Sequence, residues 1–328
     1  MAVSPAPSSE PQTVTVKRPR EYTQYLGLLA VLVAMCILFG LLSKNFLSWM
    51  SFTTIANQIP ALSVMAVGMT FVLIIGGIDL SVGSVLAFSG ALVSVAMVQW
   101  GWSLPVGIAL ALFTGIACGT LIGLISVSLN IPAFIVSLGM LEIARGGAYL
   151  ATGSRTEYIG ADVAFFNDPL IGRITPAFVI AFIIVICGHI FLTRTVWGRK
   201  LIGIGTNEEA MRLAGINTFL PKVLVFTVMG LLSAVAALFE VARMEAADPN
   251  IAVGMELSVI AAVVIGGTSL VGGRGSVLAS FFGVLIIAVL ASGLAQIGAS
   301  DPTKRIITGI VIIVAVVFDM YRTRKARS

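Results

Sequence analysis

The sequence predicts an all-α polytopic membrane bundle of about ten transmembrane helices, and three observations carry that expectation. Of its 328 residues 58% are hydrophobic and 11% are charged, whereas soluble domains are roughly 45–50% apolar and about 25% charged. Its mean hydropathy is +1.05. Apolar runs of about 20 residues, the length that crosses about 30 Å of hydrocarbon at 1.5 Å per residue, recur along most of the chain. The 34 glycines fit the same class, because small residues let helix backbones approach closely in lipid.

Residues 1–20 are rich in Ser, Pro and Thr, lack apolar periodicity and end in Lys17, Arg18 and Arg20; they read as a disordered cytoplasmic tail. The first run, 24–43, follows positive charge as a signal peptide would. Its length and the lack of a small-residue cleavage site behind it predict an uncleaved helix. Residues 45–57 mix Phe46, Leu47, Trp49, Met50, Phe52 and Ile55 with polar groups. That segment is too polar to span and suits the interface, with Trp49 at headgroup level. Further runs at 59–76, 82–100, 104–128, 131–152, 174–193, 220–243, 257–272, 275–299 and 305–321 complete the ten. The spanning domain is thus 21–321, interrupted by a polar segment at 194–219, and 322–328 form a basic cytoplasmic tail.

With ten spans and the N-terminus inside, the cytoplasmic segments collect Lys17, Arg18, Arg20, Arg194, Arg199, Lys200, Arg212, Lys222, Arg274 and the C-terminal cations, most of the 20 in the chain. Both termini are then cytoplasmic by the positive-inside rule. The net charge of +5 follows from that topology and points away from nucleic acid. Cys36, Cys118 and Cys187 lie in apolar runs, where a thiol behaves as a small hydrophobe; neither a disulfide nor a metal site is expected.

An internal echo links Gly76-Gly77 followed by Gly83-Ser84-Val85-Leu86-Ala87 with Gly266-Gly267 followed by Gly275-Ser276-Val277-Leu278-Ala279. Six spans separate the copies, so two helix pairs running the same way through the membrane are expected if the echo is a parallel repeat. Chance recurrence in a Gly-, Ala-, Val- and Leu-rich sequence is the alternative.

The polar segment 194–219 is what lipid does not explain. Within it Asn207 can cap a helix, Glu208 and Glu209 suit its first turn, and Gly215 suits its end. A short surface helix results. One reading leaves it solvated; the other seats its apolar residues in a partner's groove.

These residues carry a resemblance. The block Glu208-Glu209-Ala210-Met211-Arg212-Leu213-Ala214-Gly215-Ile216-Asn217 is similar to the coupling loop of ABC-importer permeases, with Glu209, Ala210 and Gly215 at matching positions. From about residue 45 to the C-terminus the chain resembles the sugar-importer permeases of the ribose class. The blocks Gly76-Gly77-Ile78-Asp79-Leu80-Ser81-Val82-Gly83, Ala133-Phe134-Ile135-Val136-Ser137-Leu138-Gly139-Met140 and Gly266-Gly267-Thr268-Ser269-Leu270-Val271-Gly272-Gly273 strengthen it. The resemblance implies the ABC-importer permease fold in the cell inner membrane and a homodimer of permeases. It also implies a cytoplasmic ATPase holding ATP and Mg, a periplasmic sugar-binding protein, and a monosaccharide cargo, best matched by ribose or a related pentose. It assigns ATPase coupling to Asn207, Glu208, Glu209, Ala210, Arg212 and Gly215. Met211 departs from the wider pattern, where many permeases have a second Ala.

The chain contains no Gly-x-x-x-x-Gly-Lys-Ser/Thr loop, so the motor must be another polypeptide and no cofactor is expected here. Asp79, between two apolar runs, reads either as a cap acting with Ser81 on the helix starting near Val82, or as a gate group. Arg274, in Gly272-Gly273-Arg274-Gly275, reads as part of a tight turn, with coupling or gating as the alternative. Glu142 and Arg145, three apart, read as an ion pair on one helix face or as pathway lining. Asn57, Gln58, Ser63, Thr70 and Ser137 are further pathway candidates. Glu240, Arg243, Glu245, Asp248 and Glu256 read as a solvated charged stretch or as a docking surface for the delivery protein. An ion- or proton-coupled secondary transporter would share ten spans and a repeat, but should carry more intramembrane acids or histidines. A membrane-embedded enzyme would need a convergent catalytic group, and the sequence offers none.

Overall fold

The computed structural model describes residues 21–170 and 172–325; the N-terminal tail 1–20 and residues 326–328 of the C-terminal tail lie outside them. Thirteen helices follow in order: α1 Glu21–Leu42, α2 Trp49–Gln58, α3 Pro60–Ile74, α4 Val82–Ser94, α5 Leu104–Leu129, α6 Ala133–Thr152, α7 Pro176–Arg194, α8 Val196–Thr206, α9 Glu208–Leu213, α10 Phe219–Met244, α11 Met255–Ile265, α12 Val277–Gln296 and α13 Asp301–Lys325. Two short strands, β1 Glu157–Tyr158 and β2 Ala246–Ala247, pair antiparallel at one end. The fold is all-α and polytopic.

Seven helices among the described residues are long and apolar enough to cross a membrane, or eight if the pair α2 and α3, bent by 47°, counts as one span. Three of the ten expected runs, 59–76, 257–272 and 305–321, are not among the seven. The run 59–76 is helical only over the 15 residues of α3, and 257–272 only as far as Ile265, the end of α11. Both helices stop at Gly-Gly pairs, where Gly76 at φ +78° and Gly267 at φ +84° take a left-handed conformation that glycine adopts without a Cβ penalty. The run 305–321 lies inside α13. At 45–57 the mixed segment is α2, capped by Ser48, with Trp49 and Phe52 stacked and largely exposed.

The core is built by close backbone approach. Gly115, Gly119 and Gly123 line one face of α5, and a methyl at any of them would strike the backbone of α10 at Gly230, Phe226 or Val223. Around that crossing α3 is buried along its whole length. It packs against α7, α10, α11 and α12. Inside this core Thr70 Oγ1 donates to the Ala66 carbonyl and lies 2.8 Å from Ser280 Oγ, while the buried hydroxyls of Ser63 on α3 and Ser89 on α4 have no partner among the described residues.

The turn that ends α3 meets the Gly272-Gly273 turn before α12. The Gly273 N–H donates to the Ile74 carbonyl at 2.8 Å, so the α3/α4 and α11/α12 pairs turn at the same end of the bundle. The echo is offset in register, however. Ser276 caps α12 through the Ala279 N–H, whereas its counterpart Ser84 lies inside α4.

Candidate functional site

The polar segment folds as two helices, one more than the sequence suggested. Thr195 caps α8 by accepting from the Gly198 N–H at 3.1 Å. Asn207 then ends α8 and caps α9, its Oδ1 accepting from the Ala210 N–H at 2.9 Å. Gly215, at φ +77°, closes α9, and the Ile216 N–H returns to the Met211 carbonyl at 3.0 Å. No residue of α9 is buried; Leu213 is 85% exposed.

Glu208 is the tether of this helix. Its Oε1 accepts from Arg212 at 2.9 Å and from Thr218 at 3.0 Å, and its Oε2 accepts from Lys222 at 3.0 Å on α10. Partial burial opposes its charge, but the Lys222 and Thr218 hydrogen bonds and the Lys222 and Arg212 charges outweigh that and hold its carboxyl below the usual value. Met211, the departure from the wider pattern, turns inward onto Gly203 of α8. The outward surface is left to Glu209, Ala210, Arg212, Leu213, Ala214 and Gly215.

Behind α9, backbones touch. Gly205 of α8 lies against the Ile74 carbonyl and the Gly273 N–H, and Gly273 against Thr206. The segment around Gly272 and Gly273 is a tight turn, with the Ser269 N–H bonded to the Arg274 carbonyl at 3.0 Å. Arg274 points out. The end of α8 thus rests directly on the end of α3 and on the Gly272-Gly273 turn before α12.

The structure brings Asp79, Ser81 and Ser137 together. Asp79 is 1% exposed, and its Oδ1 accepts from the Ser81 N–H at 2.9 Å and hydroxyl at 2.6 Å. Ser81 makes no side-chain bond to the first turn of α4. The Asp79–Ser81 pair therefore shapes the turn before the helix instead of capping it. Ser137 of α6 accepts from the Leu80 N–H at 3.1 Å, pinning that turn to α6. The start of α4 meets another element: a Cβ on Gly83 would sit 2.8 Å from Glu256 Oε2. A carboxylate beside a helix N-terminus is favourable.

Several expectations are corrected. Arg145 does not pair with Glu142; its Nη1 donates to the Pro249 and Ile251 carbonyls at 2.5 and 2.9 Å, because the loop before α11 folds back within reach and offers unpaired acceptors. Glu142 is exposed on α6. Asn57 is used structurally, its amide donating to the Arg173 carbonyl and its Oδ1 accepting from Thr175, while Gln58 is exposed. Glu240 is 7% exposed and paired with Arg243 one turn on, so it does not belong to an outward charged stretch. Sequence reasoning missed the Tyr149 hydroxyl, which donates to Asn250 Oδ1 at 2.6 Å, and it read Glu256 only as part of an outward charged stretch, although the loop before α11 sets that carboxylate beside the start of α4.

Broken helices that stop at glycine pairs, with a surface helix whose support rests on the turns beside them, define a polytopic membrane protein whose turns are linked to an external helix. The chain matches the family described as branched-chain amino acid transport system / permease component over residues 51–316, and it belongs to that family of ABC-importer permeases. It is 37% identical over 318 residues to the ribose import permease protein of Escherichia coli strain K12, covering 94% of this chain and 98% of that one. With the ribose import permease protein of Bacillus subtilis strain 168 it shares 36% over 302 residues, 90% and 92% of the two chains. With the L-arabinose transport system permease protein of E. coli K12 it shares 32% over 312 residues, 94% of each. No solved structure matches. The comparisons give the ion- or proton-coupled alternative no support.

Proposed function

We propose that this chain is the membrane subunit of an ATP-driven monosaccharide importer, with ribose or a related pentose as cargo. The single observation that carries the mechanism is α9: a capped helix with no buried residue, whose supporting helix α8 lies backbone-to-backbone on the end of α3 and on the Gly272-Gly273 turn before α12. An ATPase gripping α9 through Glu209, Ala210, Arg212, Leu213 and Gly215 moves α8, and α8 moves Ile74 and Gly273 together. ATP and Mg belong to that ATPase. The Asp79 turn lies five residues beyond Ile74 and is held to α6 by Ser137, so the same motion reaches α6.

The face of α6 that carries Gly139, Glu142 and Gly146 suits the pathway. Glu142 is exposed and a Cβ on either glycine would meet nothing within 4 Å. A charge at membrane depth faces water or a bundle interior in preference to lipid, which supports a second copy of the permease opposite this face. Sugar hydroxyls would then pass Glu142 and the Arg145–Tyr149 row. The delivery protein meets the opposite end, where β1 and β2 pair and Glu245 sits, and both termini lie on the α9 side of the cell inner membrane.

The ribose reading rests on the ribose permeases among the relatives, which share 36–37% identity against 31% for the fructose import permease protein of Rhizobium meliloti. Substituting Glu209→Arg together with Leu213→Asp, both on the exposed face of α9, should release the ATPase in a pull-down while membrane level and detergent stability stay unchanged. Retention of the ATPase by that variant would contradict the assignment of α9.

A further inference from the structure

The turn at 269–274 does more than join α11 to α12. Val271 at its tip is 82% exposed, Leu270 is 37% exposed, and Arg274 points out beside them. The turn is closed on itself: the Ser269 N–H bonds to the Arg274 carbonyl, the Gly272 N–H to the Ser269 carbonyl, and the Val271 N–H to Ser269 Oγ at 3.3 Å. Its base is fixed by Gly273 to Ile74. Such a turn holds its tip outward at little further entropy cost on binding.

Its place is next to α9. Gly272 and Gly273 touch Gly205 and Thr206, the residues immediately before the α9 cap, so the exposed Leu213 and Val271 belong to one end of the bundle. Exposed aliphatic tips on α9 and on the turn, with the exposed Arg274 in the same turn as Val271, are side chains of the kind that seat in a partner.

We propose that the turn 269–274 is a second docking element for the ATPase, engaging it beside α9 through Val271, Leu270 and Arg274. The inference rests on the reading of α9 as the ATPase-binding helix. A two-point grip has a mechanical consequence: a partner holding only α9 could rotate α8 about its own end, whereas one that also holds Val271 must carry α8 and the α11–α12 turn as a body.

The test uses the complete transporter in proteoliposomes, with the ATPase subunit that supports its ATP-driven uptake. A photo-crosslinking amino acid is placed in turn at Leu213, Val271 and Ile297. Ile297 lies beyond the far end of α12, about 30 Å from the turn at 1.5 Å per residue. The proposal expects adducts with the ATPase from Leu213 and Val271 and none from Ile297. Adducts from Leu213 alone would overturn the second docking element and leave the α9 reading standing; adducts from neither would overturn both. In the same preparation Val271→Asp should weaken ATPase retention roughly tenfold, the effect of losing one buried contact of about 1.4 kcal/mol. Unchanged retention would count against the proposal.

Discussion

At the scale of single residues, two carboxylates do opposite kinds of work. Asp79 is buried and serves its own turn, accepting twice from Ser81. Asn offers the same acceptor oxygen, so Asp79→Asn should fold and transport, whereas Asp79→Ala should lose two hydrogen bonds and about 2 kcal/mol, read as a lower melting temperature in detergent. Failure of Asp79→Asn to transport in a normally assembled protein would instead assign the charge itself to gating. Glu208 is solvated on one side and binds three partners on the other. Its folded carboxyl titrates below the unfolded value of about 4.3, so its contribution is complete above that value and is lost as pH falls through the folded one. Protease protection at the Arg212 bond should therefore be flat from about pH 6 to 8 and fall only in acid; Glu208→Gln should show the unprotected level at every pH.

At the scale of elements, the glycine seam between α5 and α10 sets the fold. Gly119→Leu should force the two helices apart at a cost of roughly 1–3 kcal/mol or more, visible as lost protein in the membrane fraction, while Gly139→Leu, on an open face, should leave that level unchanged. Apolar length made most spans legible in the sequence, and the Asn207 and Gly215 signals made α9 legible, since capping and left-handed closure are local. What stayed hidden depended on distant chain. The short helix α11 reads as an ordinary span because Leu270 and Val271 continue its apolar run past Gly266 and Gly267. Glu142 and Arg145 read as a pair because spacing allows it, yet the 249–251 carbonyls, a hundred residues away, claim the guanidinium. Asn57 likewise is taken by the 173–175 segment. The candidate site was thus visible where it is helical and invisible where loops fold back onto it.

At the scale of the whole molecule, the proposed coupling runs through one end of the bundle. The α9 helix, the α8 end, the Ile74 carbonyl and the 272–273 turn form one continuous backbone contact, and the Asp79 turn continues it to α6 through Ser137. Substituting Gly205→Val should break that contact. The expected result is an intact complex with ATP hydrolysis uncoupled from uptake, measured as hydrolysis retained while sugar accumulation falls at least roughly tenfold, the loss of about 1.4 kcal/mol of coupling. The central claim is that sugar crosses only when a separate ATPase drives this subunit. Uptake of labelled ribose into proteoliposomes holding the permease, its ATPase and its binding protein tests it most directly. The account predicts ATP-dependent accumulation that stops when the ATPase is omitted, whereas accumulation by the permease alone, driven by an ion gradient, would contradict it.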